Sequence, residues 1–144
     1  MINSRYTKLL IDKARVARLA TVDSENKPYL VPVVFVFDGE YFYLPLDKKT
    51  KKDKPERLKR VKNIQRNPNV TLLIDEYNED WSKLLFIMIH GSARLIGKKS
   101  QHSQLLEKAH KLLYKKYCQY KKLDIGDLCI MIYPEKIISW KNDD

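Results

Sequence analysis

Hydrophobic positions along the chain follow two periods, and the period assigns each stretch to an element. Residues 5–15 (RYTKLLIDKAR) place Tyr6, Leu9, Leu10 and Lys13 on neighbouring turns, which predicts a short amphipathic helix. ARLATV, residues 17–22, predicts a first strand, and the polar run 24–27 a turn. PYLVPVVFVF, residues 28–37, is rich in Val, Phe and Tyr and apolar on both faces, a second strand. Its Pro32 cannot donate a ladder hydrogen bond, so an edge, a bulge or a bound ligand is expected beside it. Asp38-Gly39 predicts a two-residue hairpin turn into a third strand over EYFYLPL, residues 40–46.

After a long polar stretch, Leu58, Val61 and Ile64 recur every three residues and give ERLKRVKNIQR one apolar stripe. Pro55 suits the first turn of that helix, where its missing N–H costs nothing, and Asn67-Pro68 stops it. VTLLID, residues 70–75, predicts a fourth strand, YNEDWSK a polar loop, and residues 84–96 a long fifth strand with a bulge or bend at Gly91. Ser100 is expected to cap a helix reaching about Lys121, with Leu105, Ala109, Leu112, Leu113, Tyr117 and Tyr120 on its apolar side. LCIMIY and KIISW then predict two closing strands across a Pro134-Glu135 turn. About seven strands with hairpin-like links and three helices argue for a mainly β, antiparallel barrel or sandwich and against a doubly wound sheet. With no repeat and no linker, residues 1–144 are expected to form one domain.

Composition agrees with a folded chain: 144 residues, 44% of them hydrophobic, suffice for one core. No apolar run approaches the roughly 20 residues of a membrane span. Charges interrupt the N-terminal segment too often for a signal peptide, so a soluble cytoplasmic protein is expected. Cys118 and Cys129 lack CxxC spacing and are expected to be reduced.

Charge changes the picture more. Residues 47–66 carry ten Lys/Arg against Asp47, Asp53 and Glu56, supplying +7 of a net +10. A second basic stretch, residues 101–122, has six Lys against Glu107, and the rest of the chain sums to −2. Positive charge so localised marks either an anion-binding site or a solvated face. Phosphate held in a groove needs several charge-assisted donors, and an Arg fork, convergent lysines, the Thr50 hydroxyl and helix amides near Pro55 can provide them.

Several chemistries are excluded or unsupported. The four glycines form neither GxGxxG nor a Walker loop. His90, His102 and His110 lack zinc spacing, and no serine sits in a nucleophile elbow. If the protein is an enzyme, the difficult chemistry is therefore expected to come from a bound cofactor, with the protein contributing position and electrostatics. Tyr41, Tyr43 and His90 are possible acids, but nothing in the spacing selects one, so the catalytic residue is unknown.

Three segments in order carry a family resemblance. ARLATVDSENKPYLVPVVFVFDGEYFYL, KRVKNIQRNPNVTLLID and IHGSARLI resemble successive landmarks of the pyridoxamine 5'-phosphate oxidase-like split-barrel family, which binds FMN or deazaflavin. The Asp80-Trp81 loop resembles the subgroup that uses the deazaflavin coenzyme F-420. The resemblance implies a six-stranded split barrel that dimerises, with one cofactor in each groove between subunits. It places Pro32 and Val33 beside the flavin ring, and Thr50, Lys51, Arg60 and Asn63 at the phosphate. Arg57 stands with them in the basic segment, and Trp81 would reach the neighbouring subunit's site. The segment between Tyr43 and Arg60 is longer and richer in Lys than in compact members, which leaves the roles of residues 48–57 open.

The implied function is a cofactor-dependent oxidoreductase passing a hydride between FMN or F-420 and a small planar substrate. An acidic glutamate tail on the coenzyme would use more of the cations and favours the deazaflavin. One alternative is a non-catalytic flavin or haem carrier or sensor of the same fold. Another is nucleic-acid binding, with Tyr and Lys interleaved over residues 114–122. Arg60→Ala is expected to weaken cofactor binding well beyond Lys116→Ala.

Overall fold

The computed structural model describes residues 5–47 and 54–142. In chain order the elements are α1 (Arg5–Lys13), β1 (Ala17–Val22), β2 (Pro28–Val33), β3 (Val36–Phe37), β4 (Phe42–Pro45), α2 (Lys59–Arg66), β5 (Asn69–Glu76), β6 (Leu85–Gly97), α3 (Ser103–Lys116) and β7 (Leu128–Lys141). Every strand pair is antiparallel, in the order β2-β1-β5-β6-β7-β4-β3. The result is a mainly β split barrel with flanking helices, as expected. No helix among the described residues is long and apolar enough to cross a membrane.

Two hydrophobic clusters hold the sheet. Inside the barrel, Leu19, Leu72, Ile74, Ile87 and Ile89 alternate inward and meet Ile11 of α1 and Val61 and Ile64 of α2. Outside it, α3 lays Leu106, Ala109 and Leu113 over Val36, Tyr43, Ile96 and Met131. Strand β4 is buried on both faces, sending Phe42 and Leu44 to the first cluster and Tyr43 to the second. Each large apolar side chain so enclosed contributes roughly 1.5–3 kcal/mol.

The strand count matches the expectation through two departures that offset each other. Residues 28–37 are two strands, because the chain leaves the sheet at Val34-Phe35. The last two expected strands are one, because β7 runs through Pro134 without a turn. Gly91 faces Pro134 while His90 faces Lys136, so Glu135 is the extra residue of a bulge that accommodates the proline. A Cβ at Gly91 would lie 2.5 Å from the Tyr133 carbonyl oxygen, and only glycine allows that approach.

Other boundaries shift. The hairpin after β3 has four loop residues, 38–41, with φ +98° at Gly39; Asp38 Oδ1 accepts the N–H groups of Glu40 (2.8 Å) and Tyr41 (2.7 Å). Ser100 does not cap α3. Its hydroxyl donates to the Gly97 carbonyl at 2.8 Å and shapes the turn before a helix that starts at Ser103. That helix stops at Lys116, and Tyr117 and Tyr120 belong to the segment after it. On α1 the buried side chains are Thr7 and Ile11, whereas Tyr6 and Leu9 face outward. Pro32 lies on an edge strand, one of the three settings expected for it. Both cysteines are free, Cys118 exposed and Cys129 buried.

Candidate functional site

A cleft of about 300 Å³ opens where β2 ends, β4 exits and α2 begins. Pro32, Val33 and Val34 form one wall, Pro45 and Asp47 a second, and Lys54, Pro55, Leu58 and Arg60 a third. Local sequence explains each contribution. Pro32 and Val33 end an edge strand, and Pro45 ends β4. Pro55 opens a 3-10 turn over Pro55–Arg57 that leads into α2. Val61 and Ile64 anchor α2 in the barrel core, which turns Arg60 toward the cleft.

Arg60 is half-buried. Burial pulls the pKa of its guanidinium down, opposed by Tyr29 and by Asp47. An arginine remains charged in spite of that. Among the described residues no carboxylate forms an ion pair with it. A desolvated guanidinium beside an apolar wall gains most from an anion that brings its own oxygens.

The other candidates are dispersed. Arg57 and Asn63 line a separate, more open groove of about 600 Å³ with Lys59, Lys62 and Arg66 on one side and Asp23, Glu25 and Lys27 on the other. Lys59 pairs with Asp23 at 3.7 Å there, and Lys27 with Glu25 at 3.0 Å. The carboxyl pKa of Asp23 is lowered chiefly by the N–H groups of Lys27 and Glu25. Asn63 is itself buried, its Nδ2 donating to Thr21 Oγ1 at 3.0 Å, a bond that pins α2 to β1. Trp81 sits beyond β5, 64% exposed, its Nε1 donating to the Tyr77 hydroxyl at 3.4 Å. Thr50 and Lys51 lie outside the described residues.

So the structure brings together Pro32, Val33 and Arg60, and adds Val34, Pro45, Asp47, Lys54, Pro55 and Leu58. The sequence offers a signal for several of these: Asp47 and Lys54 belong to the basic stretch, and Pro45 and Pro55 bracket it. None of the three possible acids lines the cleft. Tyr43 is fully buried and donates to Asp38 Oδ2 at 2.9 Å, while His90 Nδ1 is 2.9 Å from Thr71 Oγ1. Tyr117 and Tyr120 are buried too, which removes them as stacking platforms for bases.

Comparison with known proteins agrees with this architecture. No curated protein matches the chain. Among solved structures, a FAD-binding protein from Mesorhizobium loti is 17% identical, with 93% of this chain and 89% of that one covered and a TM-score of 0.67. The heme storage protein HutZ from Vibrio cholerae is 15% identical, with coverage of 98% and 95% and a TM-score of 0.71. An F-420 reductase is 16% identical, with coverage of 91% and 94% and a TM-score of 0.62. At these identities the likeness is one of fold. The sequence pattern of pyridoxamine 5'-phosphate oxidase matches residues 6–141, nearly the whole chain. The chain belongs to the pyridoxamine 5'-phosphate oxidase family.

Proposed function

We propose that the cleft binds the phosphate end of FMN or of coenzyme F-420, and that the protein is an oxidoreductase acting on a small planar substrate. The observation that carries this reading is the half-buried Arg60 guanidinium facing the apolar Pro32-Val33-Val34 wall. These residues fit such a ligand: one end is cationic, the other offers a flat apolar surface, and the volume suits a phosphate with part of a ring. The flavin or deazaflavin, when bound, supplies the ring that carries the hydride. Arg60 and Lys54 hold the anionic end in place, and the Pro32–Val34 strip excludes water from one ring face and aligns it. The basic groove of Lys59, Lys62 and Arg66 suits an acidic glutamate tail, which favours the deazaflavin.

A second copy of the chain is proposed to complete the site. In support, β2 is an edge strand with Leu30 65% exposed, and the Trp81 side chain is largely exposed. The solution mass checks it: a monomer at cofactor-saturated, micromolar concentration would contradict this part. The likeness to a heme storage protein favours a carrier as the second reading. Binding without reduction of any electron acceptor would select it. Reduction of an acceptor by the protein loaded with reduced cofactor would select the enzyme.

A further inference from the structure

Where the chain leaves the sheet at Val34-Phe35, the Phe35 side chain is fully buried and its backbone N–H and C=O need partners other than a ladder. Lys116, the last residue of α3, and Tyr117, the residue after it, supply both. The Tyr117 hydroxyl accepts the Phe35 N–H at 3.2 Å and gives its one proton to the Arg15 carbonyl at 2.8 Å. The Phe35 carbonyl accepts from Lys116 Nζ at 3.0 Å, and that nitrogen also sits 3.9 Å over the Phe35 ring. A few residues on, the Tyr120 hydroxyl donates to Asp47 Oδ1 at 2.9 Å. The Tyr117 and Tyr120 rings meet edge to face at 6.3 Å. Val34, the neighbour of Phe35, and Asp47 both line the cleft. One short segment therefore holds two parts of its lining.

We propose that Lys116, Tyr117 and Tyr120 form a clasp that sets the spacing of the cleft walls and restrains Asp47 from neutralising Arg60, making them positioning residues for the bound anion. The proposal rests on the cleft being the cofactor site. Tyr120 engages one oxygen of the carboxylate that faces Arg60, so its hydroxyl bears on how much of the Arg60 charge a ligand meets. Lys116 fixes the backbone next to the other wall. The groups facing its ammonium are Arg15 and Asp12 near α1, the Tyr117 ring, and the ring and carbonyl of Phe35. Burial first, and Arg15 second, pull its pKa to about 8, against Asp12. Its bond to the Phe35 carbonyl is therefore charge-assisted below that pH and weaker above it.

The test is the affinity of FMN and of F-420 for the full chain and for Tyr120→Phe, Lys116→Met and Lys116→Arg, on either side of pH 8, with thermal melting as the control for folding. Tyr120→Phe, which removes one oxygen atom, is expected to weaken binding roughly fivefold while the variant still melts as a folded protein, at a somewhat lower temperature. Wild-type affinity is expected to fall above pH 8. Lys116→Arg should keep the affinity and lose that pH dependence, and Lys116→Met should bind weakly on both sides. Folded Tyr120→Phe and Lys116→Met variants that bind as tightly as wild type would overturn the clasp and leave the cofactor site standing. A wild type that binds neither cofactor would overturn both.

Discussion

Arg60 and Asn63 stand three residues apart on α2, and their surroundings give them separate tasks. Arg60 has its charge in the cleft, whereas Asn63 is buried with its amide on Thr21. Asn63→Ala is therefore expected to cost about 1–3 kcal/mol of stability, measured by urea unfolding, and to be non-additive with Thr21→Val. Additive losses would mean that the Asn63–Thr21 bond is not the source. Sequence spacing located both residues but could not separate them, because burial depends on which strand α2 packs against. Lys116 shows the same limit more sharply. In the sequence it is one lysine of a basic run and a natural control for Arg60; in the fold it holds the carbonyl behind the cleft wall. An exposed neighbour such as Lys115 is the better control.

At the level of elements, the periods of 2 and 3.6 placed nearly every strand and helix, because most of them bury one face; β4, buried on both, was placed by its unbroken apolar run. The misassigned ends are those where a long-range contact overrides local pattern. VVFVF reads as continuous strand, yet Phe35 leaves the sheet because Tyr117 and Lys116, about eighty residues away, satisfy its backbone. Pro134 reads as a turn, yet β7 continues because the bulge opposite Gly91 absorbs the missing N–H. Gly91→Ala tests that account. Its methyl group would meet backbone at 2.5 Å and the Ile132 Cγ2 at 2.8 Å, so a loss of about 1–3 kcal/mol is expected. A variant with unchanged unfolding free energy would show that β6 and β7 do not approach so closely there.

For the whole molecule, charge segregation is the organising fact: the basic stretch after β4 borders both the cleft and the groove beside α2. The charge run, its flanking strands and, through the family resemblance, the Pro32-Val33 wall were legible, but the meeting of Val34, Pro45 and Leu58 with them was not, since they come from segments distant in sequence. Lys116 also gives stability a pH dependence. Its folded pKa of about 8 lies below the ordinary lysine value of 10.5, so between those values the unfolded chain binds the extra proton. Stability should then rise with pH across that window. Wild type should gain on Lys116→Met between pH 8 and 10.5 in urea unfolding; a constant difference would contradict a buried ammonium. The central claim is that the Arg60 cleft holds a cofactor's phosphate, and equilibrium titration of FMN and F-420 into wild type, Arg60→Ala and Lys115→Ala tests it most directly. The account predicts micromolar or tighter binding of one cofactor, a loss of about tenfold or more for Arg60→Ala, as for a lost charged hydrogen bond, and little change for Lys115→Ala. Equal losses in the two variants, or no binding to wild type, would contradict it.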